Sequence, residues 1–534
     1  MTQRLTHTPT FWKNQFKVSD KDIDFLYNLI LETNQPRTID SLGLALTQQR
    51  IQEEEIQIRS ELQRGELYQP KNTYKIGDYL VFPRLDYAIG KVVSQRDGYS
   101  PEYGDFTVIQ VTIENGQDAI YEFASGLEAP HPLNLSEAQS LAEVEGLASP
   151  QQVYAENQQH IRGRIEKALR ANDDFVEFEG NWFLQGLVAE VHAGLLNIVD
   201  AAIDISGNPL PVDSLIEQMD LTDQDEISDA LRFSVNHQLS QDERFINVGA
   251  EDSICWYLRR LTPPQALDTP QWLRLSETEV DTSAFDSELI RLLGQIDDEG
   301  TDPELVSMET EPGLRSEATV CLTYPHRRAG TLPLTPKTAS FFPRARDRAV
   351  YVELVDGRRG NSMPGWVVGD NNYVYGLEEW YARNELPVGA FIHIRRTDDP
   401  LKIIVEYRPR RKQREWVRVA MNTNKQLSFQ ILKAPIGCEF DELMIIGDPP
   451  DQASLDALWI NPEERQKPVS IILREIFPEL SKLNPQSTVH AKTLYSAVNV
   501  VRRCTPASIF QELAGQDYFL PMGHGYWIFD PSFS

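Results

Sequence analysis

Residues 371–396 read NNYVYGLEEWYARNELPVGAFIHIRR. Tyr373, Val374 and Tyr375 form a short β-prone run that stops at Gly376. LEEWYARNE, from Leu377, has the composition of a short helix. Leu386, Pro387 and Gly389 break it, and AFIHIRR resumes a strand-like alternation. Strand, glycine, helix, strand within one stretch means that a helix interrupts a sheet. Outward from it, ATVCLTY, AVYVELVDG, GWVVG and KIIVEYR add short β runs bounded by Gly, Pro, Asp and Asn. A compact β-domain over 318–420 is the expectation.

The same region is basic in an acidic chain. The 534 residues carry a formal net charge of −29, yet 323–348 holds six Arg or Lys and one acid. From Cys321 to Ala420 there are eighteen Arg or Lys, mostly Arg, against eleven acids. Arginine presents a planar fork to phosphates and to guanine edges. Any contact with a polyanion must be confined to such a local basic face, because the rest of the surface repels it. The candidate DNA-binding residues are Arg327, Arg328, Lys337, Arg344, Arg346, Arg358, Arg359, Arg395, Arg396, Arg410, Arg411 and Lys412, with Arg414 close behind. Two plainer readings stand beside this one. The arginines dock on the acidic segment just upstream, where 277–317 holds thirteen acids and two arginines, or they only solvate a surface.

The stretch at 371–396 resembles the plant B-three DNA-binding pseudobarrel, in which a GW…F…N-L-x-x-G-D segment precedes a strand. Here Gly389 is followed by Ala390 rather than Asp, and the helix opens GLEEW rather than GW. The resemblance implies a pseudobarrel whose basic loops and strand ends enter the DNA major groove. Related barrels serve as effector domains of restriction enzymes.

Elsewhere the chain reads as mixed α and β, in several domains. VSDKDIDFLYNLILE and TIDSLGLALTQQRIQEEEIQIRSELQRG are helical, giving a helix-turn-helix-like unit or a plain helical hairpin over 1–73. Residues 74–129 hold five short strands, with Asn115-Gly116 as a hairpin turn, and imply a small β-barrel. Its GDYLVFP…GKVV pattern is similar to KOW, Tudor and CarD-type barrels, which bind RNA polymerase or nucleic acid. Residues 130–174 read as a polar connector. Over 175–265, two helices lead into strands at RFINVG and ICWYL. This order resembles the winged-helix domains of the HARE-HTH group, as does STVHAKTLYSAVNVVRRCTPASIFQELAGQDYFLPMGHGYWIFD within 421–534. The two segments suggest a duplicated module. Residues 266–317 read as a mobile acidic linker with one short amphipathic helix, SAFDSELIRLLGQI.

Catalytic patterns are missing from the sequence. There is no GxxxxGK[ST], GxSxG, HExxH or PD…ExK arrangement, and no Cys-x-x-Cys pair among the four cysteines. No cofactor and no metal are therefore expected. No stretch is apolar enough to span a membrane. The reading is an α+β multidomain, cytoplasmic, prokaryotic and non-enzymatic DNA-binding protein connected with transcription. It combines winged-helix-like units, a small β-barrel and a basic pseudobarrel, with RNA polymerase or another protein as a further partner. Its rivals are a protein–protein scaffold and an effector of a restriction or defence system.

Overall fold

The computed structural model describes residues 5–62, 65–82, 85, 88–113, 120–128, 148–221, 226–275, 280–302, 316–447, 452–460 and 467–533. The chain is mixed α and β and divides into two compact units, 1–192 with 222–238, and 193–221 with 239–534. The hairpin turn expected at Asn115-Gly116 lies outside the described residues, as do 303–315 of the acidic segment.

In the first unit, α1 (Asp20–Thr33) opens on a capping box, Ser19 with Asp22. Such reciprocal bonds satisfy donors that the first helical turn leaves orphaned. Asp22 also takes a 2.6 Å ion pair from Arg50 of α2 (Ile39–Leu62), so one buried carboxylate ties two helices. The two-residue strand β1 (Arg37–Thr38) lies between them. A five-stranded sheet then follows in the order β2 (Glu66–Leu67), β3 (Tyr79–Phe82), β4 (Ala88–Ser100), β5 (Gly104–Ile113), β6 (Ile120–Ser125). It curls, because the Tyr68 hydroxyl donates to the Ala124 carbonyl at 2.7 Å and Leu127 N donates to Pro70 O at 2.8 Å. The chain next forms α3 (Pro150–Arg170), capped by Ser149 and Gln152, with Pro150 in its first turn. Residues 150–170 of the expected polar connector are thus a 21-residue helix whose Tyr154, Ile161, Ile165 and Leu169 enter the core. The hairpin β7 (Phe175–Phe178) and β8 (Asn181–Leu184) ends this unit's main chain path, and β8 pairs back onto β1.

In the second unit, α4 (Ala193–Ser206), β9 (Leu210–Pro211) and α5 (Val212–Gln218) precede α6 (Asp229–Gln241), within which the unit boundary falls. The strands β10 (Phe245–Asn247) and β11 (Cys255–Leu258) complete a sheet in the order β10–β11–β9. Residues 287–295 form α7 (Ser287–Gln295), the amphipathic helix expected in the acidic segment. It is not afloat in a linker. Phe285, Leu289, Leu292, Leu293 and Ile296 are buried in one core with Leu494, Ile509 and Phe510.

The β-domain expected over 318–420 is a seven-stranded, barrel-like sheet. Its strands are β12 (Glu317–Cys321), β13 (Thr331–Pro333), β14 (Ala349–Asp356), β15 (Ser362–Val368), β16 (Tyr373–Tyr375), β17 (Phe391–Arg396) and β18 (Lys402–Tyr407). They lie in the order β12–β17–β18–β14–β15–β16–β13. The two edge strands are joined in sequence by α8 (Tyr324–Ala329). The interrupting helix is α9 (Glu378–Arg383), which carries Trp380 and Tyr381 into the barrel core.

The chain leaves the barrel as a long two-stranded ribbon, β19 (Pro409–Thr423) and β20 (Gln426–Cys438). Asn424 and Lys425, at φ 55° and 65°, form the two-residue loop, as a primed hairpin turn requires. After β21 (Ile445–Gly447) and α10 (Gln452–Ile460) comes α11 (Val469–Ser481). Then follow β22 (Val489–His490), α12 (Ala491–Val498), α13 (Pro506–Gly515), β23 (Phe519–Gly523) and β24 (Tyr526–Phe529), in the sheet order β22–β24–β23.

One arrangement therefore occurs three times: helix, short strand, helix, helix, hairpin, with the short strand paired to the hairpin's last strand. The sheets β1–β8–β7, β9–β11–β10 and β22–β24–β23 repeat it. The first copy starts at α1 and receives the five-stranded sheet as an insert between its second and third helices. The hairpin at 175–184 completes that copy rather than opening the next one.

Candidate polyanion-binding surface

The basic stretch 323–348 is largely occupied inside the protein. The Arg327 Nε donates to the Leu386 carbonyl at 2.9 Å, and its guanidinium lies over Tyr381. Burial pulls its pKa down, the mark of a cation taken from water. Arg328 pairs with Asp456 at 2.5 Å and lies over Trp272. Lys337 donates to the Gly294 carbonyl at 2.9 Å, with Asp297 at 3.9 Å. These three candidates fasten α8 and the following loop to their surroundings. For Lys337, the reading in which bases dock on the upstream acidic segment describes the contact.

The acidic segment has its own buried cation. Arg503 reaches Asp298 at 2.8 Å and Glu299 at 2.7 Å, with all three side chains almost wholly buried. The other Glu299 oxygen meets His326 Nε2 at 3.0 Å, and the Tyr495 hydroxyl donates to Asp298 at 2.5 Å. Burial would raise the Glu299 pKa, but Arg503 and His326 outweigh it and hold the carboxyl far below its usual range. This cluster is a clamp closed to solvent.

The remaining candidates divide between the two ends of β14. Arg344 and Arg346 are exposed in the loop that enters it. Arg396 lies on that side too, donating to the Ser340 carbonyl at 2.7 Å and stacking over Phe341. Arg395 pairs with Glu406 at 3.3 Å. Arg358 and Arg359 occupy the β14–β15 turn at the far end. An eight-residue strand places these two ends about 25 Å apart, so the candidates do not form one cluster.

The far end gathers most of the charge. Asp356 builds the turn: its Oδ1 accepts from the backbone N–H of Arg358 at 2.9 Å and of Arg359 at 3.2 Å. Its Oδ2 accepts from Trp380 Nε1 at 3.0 Å. Gly360, at φ +71°, closes the loop in a region that favours glycine. The helix that interrupts the sheet thus holds the arginine turn through one buried carboxylate. Arg358 donates to the Tyr407 hydroxyl at 2.6 Å, which brings the turn beside the end of β18. There Arg408 and Arg410 both lie 3.9 Å from Glu439, and Lys412 pairs with Glu385. Arg359 and Arg411 are exposed and make no side-chain ion pair among the described residues. Arg358, Arg359, Arg408, Arg410, Arg411 and Lys412 form a basic rim in which Glu439 and Glu385 pair with three of the six.

The ribbon extends this rim. Residues 409–438 contain seven Lys or Arg and one acid. Trp416 is 65% exposed on it, with Lys433 Nζ 4.7 Å from its ring centre. The sequence reading took in Arg410–Lys412 but missed Trp416 and Lys433, because the boundary drawn at residue 420 cuts the hairpin. The signal was present in the alternation of WVRVAMNT, the Asn-Lys turn and LSFQILK.

The cysteines are poor nucleophiles. Burial pushes Cys321 up to about 12, and Cys438 and Cys504 up to about 11. Among the described residues no group of three or more His, Cys, Asp or Glu side chains is placed to hold a metal. Comparison with family models, curated proteins and solved structures finds no match for this chain.

Proposed function

We propose that this chain is a non-enzymatic DNA-binding protein that grips phosphates with the basic rim of its barrel. One observation carries the reading: in a chain of net charge −29, six exposed cations gather where the β14–β15 turn meets the end of β18 and the start of β19. Binding works by neutralising phosphates and releasing counterions, with Arg forks supplying direction. The helix-interrupted, barrel-like sheet and its strand-end arginines support this reading by their resemblance to the B-three pseudobarrel.

The threefold helix–strand–helix–helix–hairpin arrangement supports a winged-helix reading of the HARE-HTH kind. In the later two copies the third helix is a poor DNA reader. Phe233, Ser234, Val235 and Asn236 of α6 are all buried, as are Ile509, Phe510 and Leu513 of α13. Those modules act in packing and protein contact, RNA polymerase being one such partner. In the first copy α3 exposes Gln152, Glu156, Gln159, Lys167 and Arg170 along one face. A cytoplasmic setting connected with transcription fits this assignment.

The test is fluorescence anisotropy of the full chain with duplex DNA and with heparin across a salt series. DNA affinity is expected to fall steeply with salt and to exceed heparin affinity at matched charge. Charge reversal at Arg358 and Arg359 should weaken binding by tenfold or more, whereas reversal at Arg344 and Arg346 should do little. Equal loss from both pairs would replace a directed rim by diffuse attraction. No binding at all would favour a scaffold whose modules all take protein partners.

A further inference from the structure

The ribbon holds the one tryptophan that the fold does not use. Of nine tryptophans, Trp12, Trp182, Trp256, Trp366, Trp380, Trp459 and Trp527 are buried and Trp272 is half-buried. Trp416 is 65% exposed, although a tryptophan gains more from burial than other side chains do. Side chains alternate along a strand, so Arg414, Trp416 and Arg418 share one face of β19. The register places Lys433 opposite Trp416 and Ile431 opposite Arg418, on that same face. Val417 and Val419, on the other face, are buried in the barrel core, which fixes the orientation of the ribbon. The result is a rigid aromatic plane with cations before, after and beside it.

We propose that Trp416 stacks on an unpaired base, so that the preferred DNA carries a single-stranded segment beside its duplex. This rests on the DNA-binding reading and deepens it. An exposed ring flanked by positive charge matches the two surfaces of a single strand: a π-face on each base and a phosphate on each side. Lys433 over one face of the ring leaves the opposite face for the base. Base pairs hide their faces within the stack, so a blunt duplex offers Trp416 only the outer faces of its terminal pairs, whereas a single strand offers every base. The charge of the ribbon argues for nucleic acid over a protein partner, which would need an acidic face of matching shape.

The experiment uses the full chain with three labelled probes: a blunt duplex, the same duplex with an oligothymidine tail, and the tail alone. The tailed duplex should bind about tenfold more tightly than the blunt one. Trp416→Ala should cost the tailed duplex about tenfold more affinity than it costs the blunt one, and Trp416→Phe should keep most of the advantage. Oligothymidine should quench a fluorescence component that Trp416→Phe lacks. Wild type binding blunt and tailed duplex equally overturns the stacking proposal alone. So does an equal loss on both probes in Trp416→Ala, or an acidic peptide that quenches Trp416 where oligothymidine does not. Wild type binding none of the three overturns the DNA reading together with it.

Discussion

Arg503 holds two buried carboxylates, Asp298 and Glu299. Replacing it by Met leaves Asp298 and Glu299 buried and uncompensated, which costs about 3–5 kcal/mol at neutral pH. Urea unfolding of the full chain should show that loss. The Glu299 pKa is depressed in the folded protein, so its contribution is present above its unfolded pKa. It is lost as pH falls below the ordinary carboxylate range, and the Arg503→Met deficit should shrink there. His490 titrates higher. It caps α12 by accepting from Lys492 N through Nδ1 at 3.1 Å, which requires a neutral ring. Burial, then Lys492, lowers its pKa to about 4. The unfolded chain takes up the proton first as pH falls below about 6.5. Stability is therefore full above that value and lost towards pH 4, by roughly 1 kcal/mol at pH 5 for a partly solvated ring. His490→Asn keeps a cap without a titrating group, and its thermal midpoint should vary less between pH 7 and pH 5.

At the scale of elements, the β14–β15 turn depends on Asp356. Asp356→Ala leaves Trp380 Nε1 and two backbone amides without their acceptor and should cost roughly 1–3 kcal/mol. If the rim grips DNA as proposed, the same change should weaken DNA affinity, because the arginines lose their fixed aim. Calorimetry and anisotropy together measure both effects. How much of this was legible in sequence differs by element. The helix at 378–383 and the strands around it showed themselves through local alternation and through Gly and Pro. The role of Asp356 did not, because a hydrogen bond from Trp380, twenty-four residues away, leaves no periodic trace. The same holds for Arg327, Arg328 and Lys337. Sequence reports charge, but whether a cation faces water or a carbonyl is decided by packing. Trp416 lay inside the expected domain, but the boundary at residue 420 separated it from its partner strand, and its exposure is decided by packing.

At the scale of the whole molecule, the barrel cannot be cut out at residue 420. Val417 and Val419 of β19 share its core with Ile436 and Cys438 of β20. A fragment of 318–420 loses that partner strand and exposes a long apolar edge. It is expected to melt without cooperativity or to aggregate, where the full chain melts sharply, and differential scanning calorimetry of both decides this. The acidic composition was a guide to surface behaviour and a poor guide to architecture. Residues 280–302 read as a linker by charge, yet their apolar stripe, Leu289, Leu292, Leu293 and Ile296, is core.

The sheet inserted between the second and third helices of the first module has a consequence for synthesis. Thr38 finds its partner only when Asn181 has been made, after α1, α2 and the whole insert have left the ribosome. Until then Leu26, Ile30, Leu42 and Leu46 lack the cover that Ile161, Ile165, Leu169 and Trp182 later provide. The insert can fold first on its own local pairings, β3 with β4 and β4 with β5. Once folded it holds Tyr68 beside Ala124, so fewer free residues separate the helices that must close on each other. An insert that folds first would thus serve, during translation, as a splint for the module that surrounds it.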